Sequence, residues 1–370
     1  MHRREFLSAG LATAGTVAMG TTPWAPALAA GDKGYRLSGP YTHRNLAVYL
    51  IHRGGRNAGP APLTLGEAMR TGAIRVFETG NVQELVVNNP GDREIFIQAG
   101  DIVKGGKQDR VLTVSMIVPP NSGNIPIGAY CIEQGRWARR GREKVAEFSA
   151  STARLPSKAG RIAMMERALP PESGREVQSG REVRAGVGRS ALIRRSYGSD
   201  RQGLVWGSVR KTQERLSSYM NRDVADRRSR SSLQLSLENK DLAAALMDFE
   251  KALGGLPDAH PDAVGYAFAV GGRINSGDEF ESAGLFRKLW RRQLRAAATE
   301  ALAAAGSHNG KPPASAQVAA FVGRAGAAAA VSKAMPGNMV LITRETATSL
   351  YTEALRGSGG WIHRSFISVE

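Results

Sequence analysis

The chain has one cysteine in 370 residues, Cys131, so no disulfide can form within it. Ala129, Tyr130 and Ile132 flank that cysteine and suggest a buried strand position, which favours a small core residue over a nucleophile. Histidine is scarce: His2, His43, His52, His260, His308 and His363. None pairs with another at i+2 or i+4, and none lies between Ala99 and Trp137, which argues against a histidine-built zinc or iron site. There is no nucleophile elbow, no complete serine–lysine signature and no cysteine–histidine arrangement. Gly105-Gly106-Lys107 lacks the spacing and the Ser/Thr of a phosphate loop, which argues against a nucleoside triphosphatase. No apolar run is long enough for a permanent membrane-spanning helix. Acidic residues are in deficit, leaving a net charge of +17. Residues 136–230 hold 23 Lys or Arg against 10 Asp or Glu. Such a balance suits anionic small molecules or envelope polymers. Aromatic residues are too few in that basic segment to stack on bases, which argues against a nucleic-acid partner.

The N-terminus carries Arg3-Arg4-Glu5-Phe6-Leu7, a weakly apolar segment, and small residues near Ala27 to Ala30. That order is expected of a twin-arginine signal peptide over residues 1–30. The expectation is recognition by the twin-arginine export machinery, then a periplasmic or secreted mature protein without a transmembrane span.

Residues 31–370 read as a single α+β domain: an antiparallel sheet or small sandwich, with packed helices mainly in the C-terminal half. Leu46 to His52 (LAVYLIH) is a strand. Thr64-Leu65-Gly66-Glu67 is a capping box for a helix over about Leu65 to Arg70, stopped at Gly72. Short strands follow around Val76, Leu85 to Val87, Ile95 to Gln98, Val111 to Val118 and Ile127 to Glu133. Residues 149–200 are rich in Arg, Ser and Gly, lack hydrophobic periodicity, and are expected to form a mobile, protease-sensitive excursion. A helix is expected from about Ser208 to Met220, and another over Lys240 to Leu253 with Leu242, Leu246, Phe249 and Leu253 inward. Ala263 to Ile274 is a strand bending at Gly271-Gly272. Ser282 caps a helix to about Ala305, with Lys288, Arg291, Arg292 and Arg295 outward. Val340 to Thr343 and Trp361 to Val369 close the sheet.

Reactive groups and permissive glycines concentrate between Ala99 and Trp137. Lys104, Lys107, Gln108 and Arg110 supply donors, and Arg136 and Trp137 add a guanidinium fork and a flat face. Asp101, Asp109 and Glu133 can accept from a sugar, orient the arginines, or form an oxygen-ligated ion site. Antiparallel pairing of the strands around Val111 and Ile127 brings Gln108, Arg110, Glu133, Arg136 and Trp137 to one end of the sheet. The cluster is read either as a ligand site for an anion or as a buried salt-bridge network closing the sheet.

The stretches GDIVKGGKQDRVL, CIEQGRW, QGLVWGSV and GYAFAVGGRINSGDEFESAGLFRKLW resemble the exported proteins that carry the ARPP-type domain, over about Asn45 to Ile367. The resemblance implies one α+β domain and an association with ADP-ribosylglycohydrolases and rhodanese-phosphatase proteins. The excursion is bulkier than that pattern requires. The function expected is an exported ligand-binding or accessory protein for an anion such as a nucleotide-sugar or phosphate ester. The alternatives are a hydrolase, with Glu133 or Asp109 as base and Arg110 and Arg136 stabilising charge, or a basic envelope-interaction protein.

Overall fold

A computed structural model of the chain describes residues 36–53, 59–136, 138, 140–141, 147–165, 201–307 and 309–370. The expected signal segment, Trp137 and most of the expected excursion lie outside the described residues.

Hydrophobic patterning explains the main layers. Leu46–His52 is buried at every position because both faces of its sheet are covered. On one face Leu46, Val48 and Leu50 join the principal core. On the other, Ala47 and Tyr49 pack with Ala267, Ala269 and Val318. That sheet has eight antiparallel strands, in the order Arg36–His43, Leu46–His52, Ala263–Val270, Arg273–Phe280, Trp361–Ser368, Ser349–Arg356, Met339–Glu345 and Ala330–Met335. A six-stranded antiparallel sheet runs Phe148–Arg154, Asp101–Gly105, Arg110–Leu112, Asn124–Cys131, Glu84–Asn88, Arg75–Glu78. A small third sheet joins Leu63–Thr64, Ile95–Ile97 and Met116–Val118. The architecture is therefore α+β, with its longer helices in the C-terminal half.

Local signals set several elements. The Thr64–Glu67 capping box starts helix Leu65–Thr71, and Gly72 ends it at a φ of 74°. Helix Lys240–Leu253 buries Leu242, Leu246, Phe249 and Leu253. Ser282 caps helix Ala283–Ala303, whose Leu285, Phe286 and Leu289 pack in the principal core. Helix Ser315–Ala327 places Phe321 and Val322 against Tyr351 and Phe366 of the eight-stranded sheet. No described helix is long and apolar enough to cross a membrane.

Several expectations require correction. The apolar run 111–118 is two strands in two sheets, Arg110–Leu112 and Met116–Val118. Between them Thr113 N–H donates to the Gly128 carbonyl, while Ser115 Oγ accepts from Ala99 N–H, carrying the chain from one sheet to the next. The strand placed at Ile127 to Glu133 spans Asn124–Cys131, leaving Glu133 just past its end. Asp101–Gly105, absent from the strands expected above, is a strand. The excursion does not begin at residue 149. Phe148–Arg154 is an edge strand, and Lys158–Met164 is a helix that buries Arg161, Ala163 and Met164. Their polar residues are internally partnered: Ser151 Oγ donates to Gln234 Oε1, and Arg154 meets Asp278. The helix expected at Ser208 begins at Arg201. Arg292 points inward, not outward, onto buried Asp101. Strands Arg36–His43 and Ser349–Arg356 had no counterpart in the sequence reading.

Candidate functional site

A tight turn organises the central stretch. Strands Asp101–Gly105 and Arg110–Leu112 pair antiparallel, and Cys131 lies opposite Arg110 on the next strand. The turn needs glycine at residue 106. Its φ is 58°, and a Cβ there would sit 2.6 Å from the Phe148 ring and 2.7 Å from a Glu78 carboxylate oxygen. This register sets Asp109 beside Ile132, whose N–H donates to the Asp109 carbonyl at 3.1 Å. Gln108 Nε2 donates to the Glu133 carbonyl at 2.9 Å, and Asp109 N–H to Glu133 Oε2 at 3.2 Å.

Two buried carboxylates then collect two arginines. Arg140 grips Asp109 bidentately, both contacts at 3.1 Å, and reaches Glu133 at 3.4 Å. Arg136 Nε lies 2.7 Å from Glu133, and its Nη2 lies 3.6 Å from Asp109. Arg136 also donates to the carbonyls of Gly105, Gly106 and Ala138. Ser232 Oγ and Gly105 N–H complete the shell of Asp109, at 2.9 and 3.0 Å. Both carboxylates are fully buried. The two guanidiniums form part of the wall of a cleft of about 970 Å3, which Lys104, Glu238, Ser151 and Arg228 also line.

Arg110 turns into a separate pocket. It is almost wholly buried, 2.8 Å from Cys131 Sγ, 3.1 Å from Gln108 Oε1 and 3.4 Å from the Glu78 carboxylate. Burial pushes the Cys131 thiol up to about 11 against the pull of Arg110, so at neutral pH it is a thiol and a poor nucleophile.

The structure thus brings Gln108, Asp109, Glu133 and Arg136 together, with Arg110 adjacent. It separates Asp101, which pairs with Arg292 at 2.9 Å and accepts from Gln98 N–H at 3.0 Å. Asp101, Asp109 and Glu133 therefore do not make a common ion site. Among the described residues no group of three or more His, Cys, Asp or Glu is placed to hold a metal ion. Lys104 pairs with Glu238 at 2.7 Å on the cleft rim. The Lys107 side chain is exposed, and its backbone N–H donates to Glu78. Trp137 lies outside the described residues. Arg140 and Ser232 were not singled out from sequence. Arg140 sits in a run with Arg139 and Arg142, and nothing local marks which of them turns inward.

A second polar network, wholly buried, also escaped the sequence reading. It centres on Asp278, which meets Arg154 at 2.8 Å, Arg161 at 3.1 Å, the Tyr266 hydroxyl at 3.2 Å and His363 Nε2 at 3.2 Å. Gln293 continues it, accepting from Tyr266 and donating to Gln98 Oε1. The available signal was the polar run Asn275 to Glu279 inside an apolar hairpin. Desolvation opposes charge on Asp278, but Arg154 and Arg161 outweigh it and hold the carboxyl well below its usual range. Burial lowers the pKa of His363, opposed by Asp278.

These shifts fix a pH dependence. A folded-state pKa below the unfolded value means that the unfolded chain binds the proton first, so stability falls as pH drops. For His363 the loss begins near the unfolded value of about 6.5, and for Asp278 near about 3.9. Urea titrations across pH should show wild-type stability declining below about pH 6.5. The pKa of His52 is lowered by burial as well, so His363→Gln should make that first decline shallower rather than remove it, and an unchanged slope would contradict the assignment to His363.

Residues 34–367 match the model of the ARPP-1 family, the ARG and Rhodanese-Phosphatase-superfamily-associated Protein domain. The chain belongs to this family. Neither a curated protein nor a solved structure matches it. Within this ARPP-1 chain the stretches that carry the resemblance supply both networks: Gln108, Asp109, Glu133 and Arg136 to one, Tyr266 and Asp278 to the other. The family description records an association with the ARG and rhodanese-phosphatase superfamilies, which is compatible with an accessory role.

Proposed function

We propose that this ARPP-1 protein is an exported accessory protein that binds a small phosphate-bearing ligand, such as a sugar phosphate or nucleotide-sugar, in the cleft beside Arg136 and Arg140. One observation carries the reading: two arginines held over the buried Asp109 and Glu133 pair form the wall of a cleft whose rim adds Lys104 and Arg228. Arginine held in this way fixes positive charge at the cleft wall, which attracts a phosphate. Ser149, Thr152 and Glu238 on the same lining offer partners to sugar hydroxyls. The volume, about 970 Å3, lies in the range of small-molecule sites, about 300–1,000 Å3. The hydrolase alternative draws less support, because Asp109 and Glu133 are both engaged by guanidiniums and Arg110 is buried against Glu78.

Calorimetric titration with a sugar phosphate tests the reading. Lys104→Ala combined with Arg228→Ala should weaken binding about tenfold or more, at about 1.4 kcal/mol per tenfold. Both side chains are partly or well exposed, so melting should change little. Affinity that is the same in variant and wild type would remove the basis for the site.

The export half of the reading rests on Arg3, Arg4, Phe6 and Leu7 ahead of the apolar segment. Replacing Arg3 and Arg4 by Lys should leave precursor in the cytoplasm. Normal delivery of that variant to the periplasm, followed by cell fractionation, would end the proposal.

A further inference from the structure

A second cleft, of about 880 Å3, lies where the turn of hairpin Ala263–Phe280 meets the loop 311–313 and helix Ser315–Ala327. It shares no lining residue with the cleft at Arg136 and Arg140. Its charge pattern differs as well. In the first cleft the cations face carboxylates. Here Arg273, Lys311 and Arg324 line one concavity, and none of the three has an ion pair or hydrogen bond from its side chain among the described residues. One carboxylate residue, Glu370, shares the lining, and its main-chain oxygen accepts from Lys158 Nζ at 2.6 Å. Ile274, Pro312, Pro313 and Phe321 give the wall an apolar part, beside the polar Gln317, Thr348 and Ser368.

The cleft is held by the fold rather than by its charges. Gly310 N–H donates to the Gly271 carbonyl at 3.1 Å, tying the loop to the hairpin turn. The approach is close enough that a Cβ on Gly272 would lie 2.8 Å from Gly310. The Tyr49 hydroxyl donates to the Pro313 carbonyl, and burial raises that phenol to about 12, so it stays a donor at neutral pH. Phe321 packs with Tyr351 and Phe366 beneath the floor. Lys311 is thereby held across the turn from Arg273.

Three cations around one concavity repel one another, and a multiply charged anion placed among them relieves that repulsion. Arginine forks bind phosphate oxygens bidentately. A single phosphate would leave the apolar wall unused. We propose that this cleft binds an organic diphosphate, its phosphates among Arg273, Lys311 and Arg324 and its organic part against Pro312, Pro313 and Phe321. The inference does not depend on the ligand reading of the first cleft.

Calorimetry of the full chain with ADP, pyrophosphate and adenosine tests it. ADP should bind saturably, about tenfold more tightly than pyrophosphate, and adenosine should not bind. Arg273→Ala combined with Arg324→Ala should weaken ADP about 100-fold, and Lys311→Ala alone about tenfold, since each removes a phosphate contact. All three side chains belong to exposed residues, so the melting temperature of each variant should match wild type. Arg222→Ala, at an exposed ion pair outside both clefts, should leave ADP binding unchanged. No saturable ADP binding by the wild type would overturn the proposal, as would equal binding by the Arg273/Arg324 variant. Loss of ADP binding on Lys104→Ala would assign the ligand to the first cleft and overturn it equally. Pyrophosphate binding as tightly as ADP would overturn the role of the apolar wall.

Discussion

Asp278→Asn should lower the unfolding free energy by about 3–5 kcal/mol, read from urea denaturation near neutral pH. Asp278 is fully buried, with Arg154 and Arg161 as ionic partners. The substitution keeps size and one acceptor oxygen but removes the carboxylate that pairs with both guanidiniums. Each would then lose its ion-pair partner in a low-dielectric interior, with the weaker attraction of Asp101 for Arg154 and of Glu300 for Arg161 offsetting only part of the desolvation cost. An exposed ion pair is the appropriate control. Arg222 and Asp241 are 2.6 Å apart, but their side chains are 72% and 48% exposed. Arg222→Ala should therefore cost less than about 1 kcal/mol. If the two variants unfolded at the same urea concentration, the buried network would not be a stabilising element. The same comparison repeated at lower pH should narrow, because protonation of wild-type Asp278 removes the charge that the variant lacks.

That network explains where sequence reasoning succeeded and where it failed. Leu46–His52 was legible because a continuous apolar run needs no knowledge of its partners. Helix Lys240–Leu253 was legible because its apolar residues recur at helical spacing, and helix Leu65–Thr71 because its cap is local. Phe148–Arg154 and Lys158–Met164 were not. Their Ser and Arg content suggests a solvated segment, and the residue that makes Arg154 an interior side chain is 124 positions away. Arg292 failed for the same reason: helical periodicity sorts charged residues outward, and only the fold supplies Asp101. In the central site the outcome divides along that line. Gln108, Glu133 and Arg136 meet because a hairpin register places them, and register is a local property. Asp101 had been grouped with them by proximity in sequence, yet the strand Asp101–Gly105 carries it to the opposite end from the Gly105–Asp109 turn. Ser232, 92 positions from Arg140, could be found only by folding the chain.

The central cluster was open to two readings, a ligand site or a structural network, and Asp109→Asn separates them because stability and binding should move in opposite directions. Asp109 is fully buried and takes both Arg140 nitrogens, with Arg136 at 3.6 Å. Asparagine Oδ1 can still accept from Gly105 N–H, so the turn keeps that bond while the oxygen facing Ser232 Oγ and one negative charge are lost. Glu133 must then face Arg136 and Arg140 without Asp109. Loss of one buried partner should reduce stability by about 3 kcal/mol in urea denaturation. On the ligand reading, the freed positive charge lies at the cleft wall, where a phosphate can take the place of the missing carboxylate. A sugar phosphate should then bind about tenfold more tightly to Asp109→Asn than to wild type, and should restore part of the lost stability by mass action. Raising the salt concentration should shrink the gain in affinity, since it is electrostatic. On the purely structural reading the variant loses the same stability while sugar phosphate affinity stays flat, and saturating ligand leaves the melting temperature where it was. Denaturation and calorimetry on this one variant therefore decide whether Arg136 and Arg140 act only within the fold or also on a ligand in the cleft.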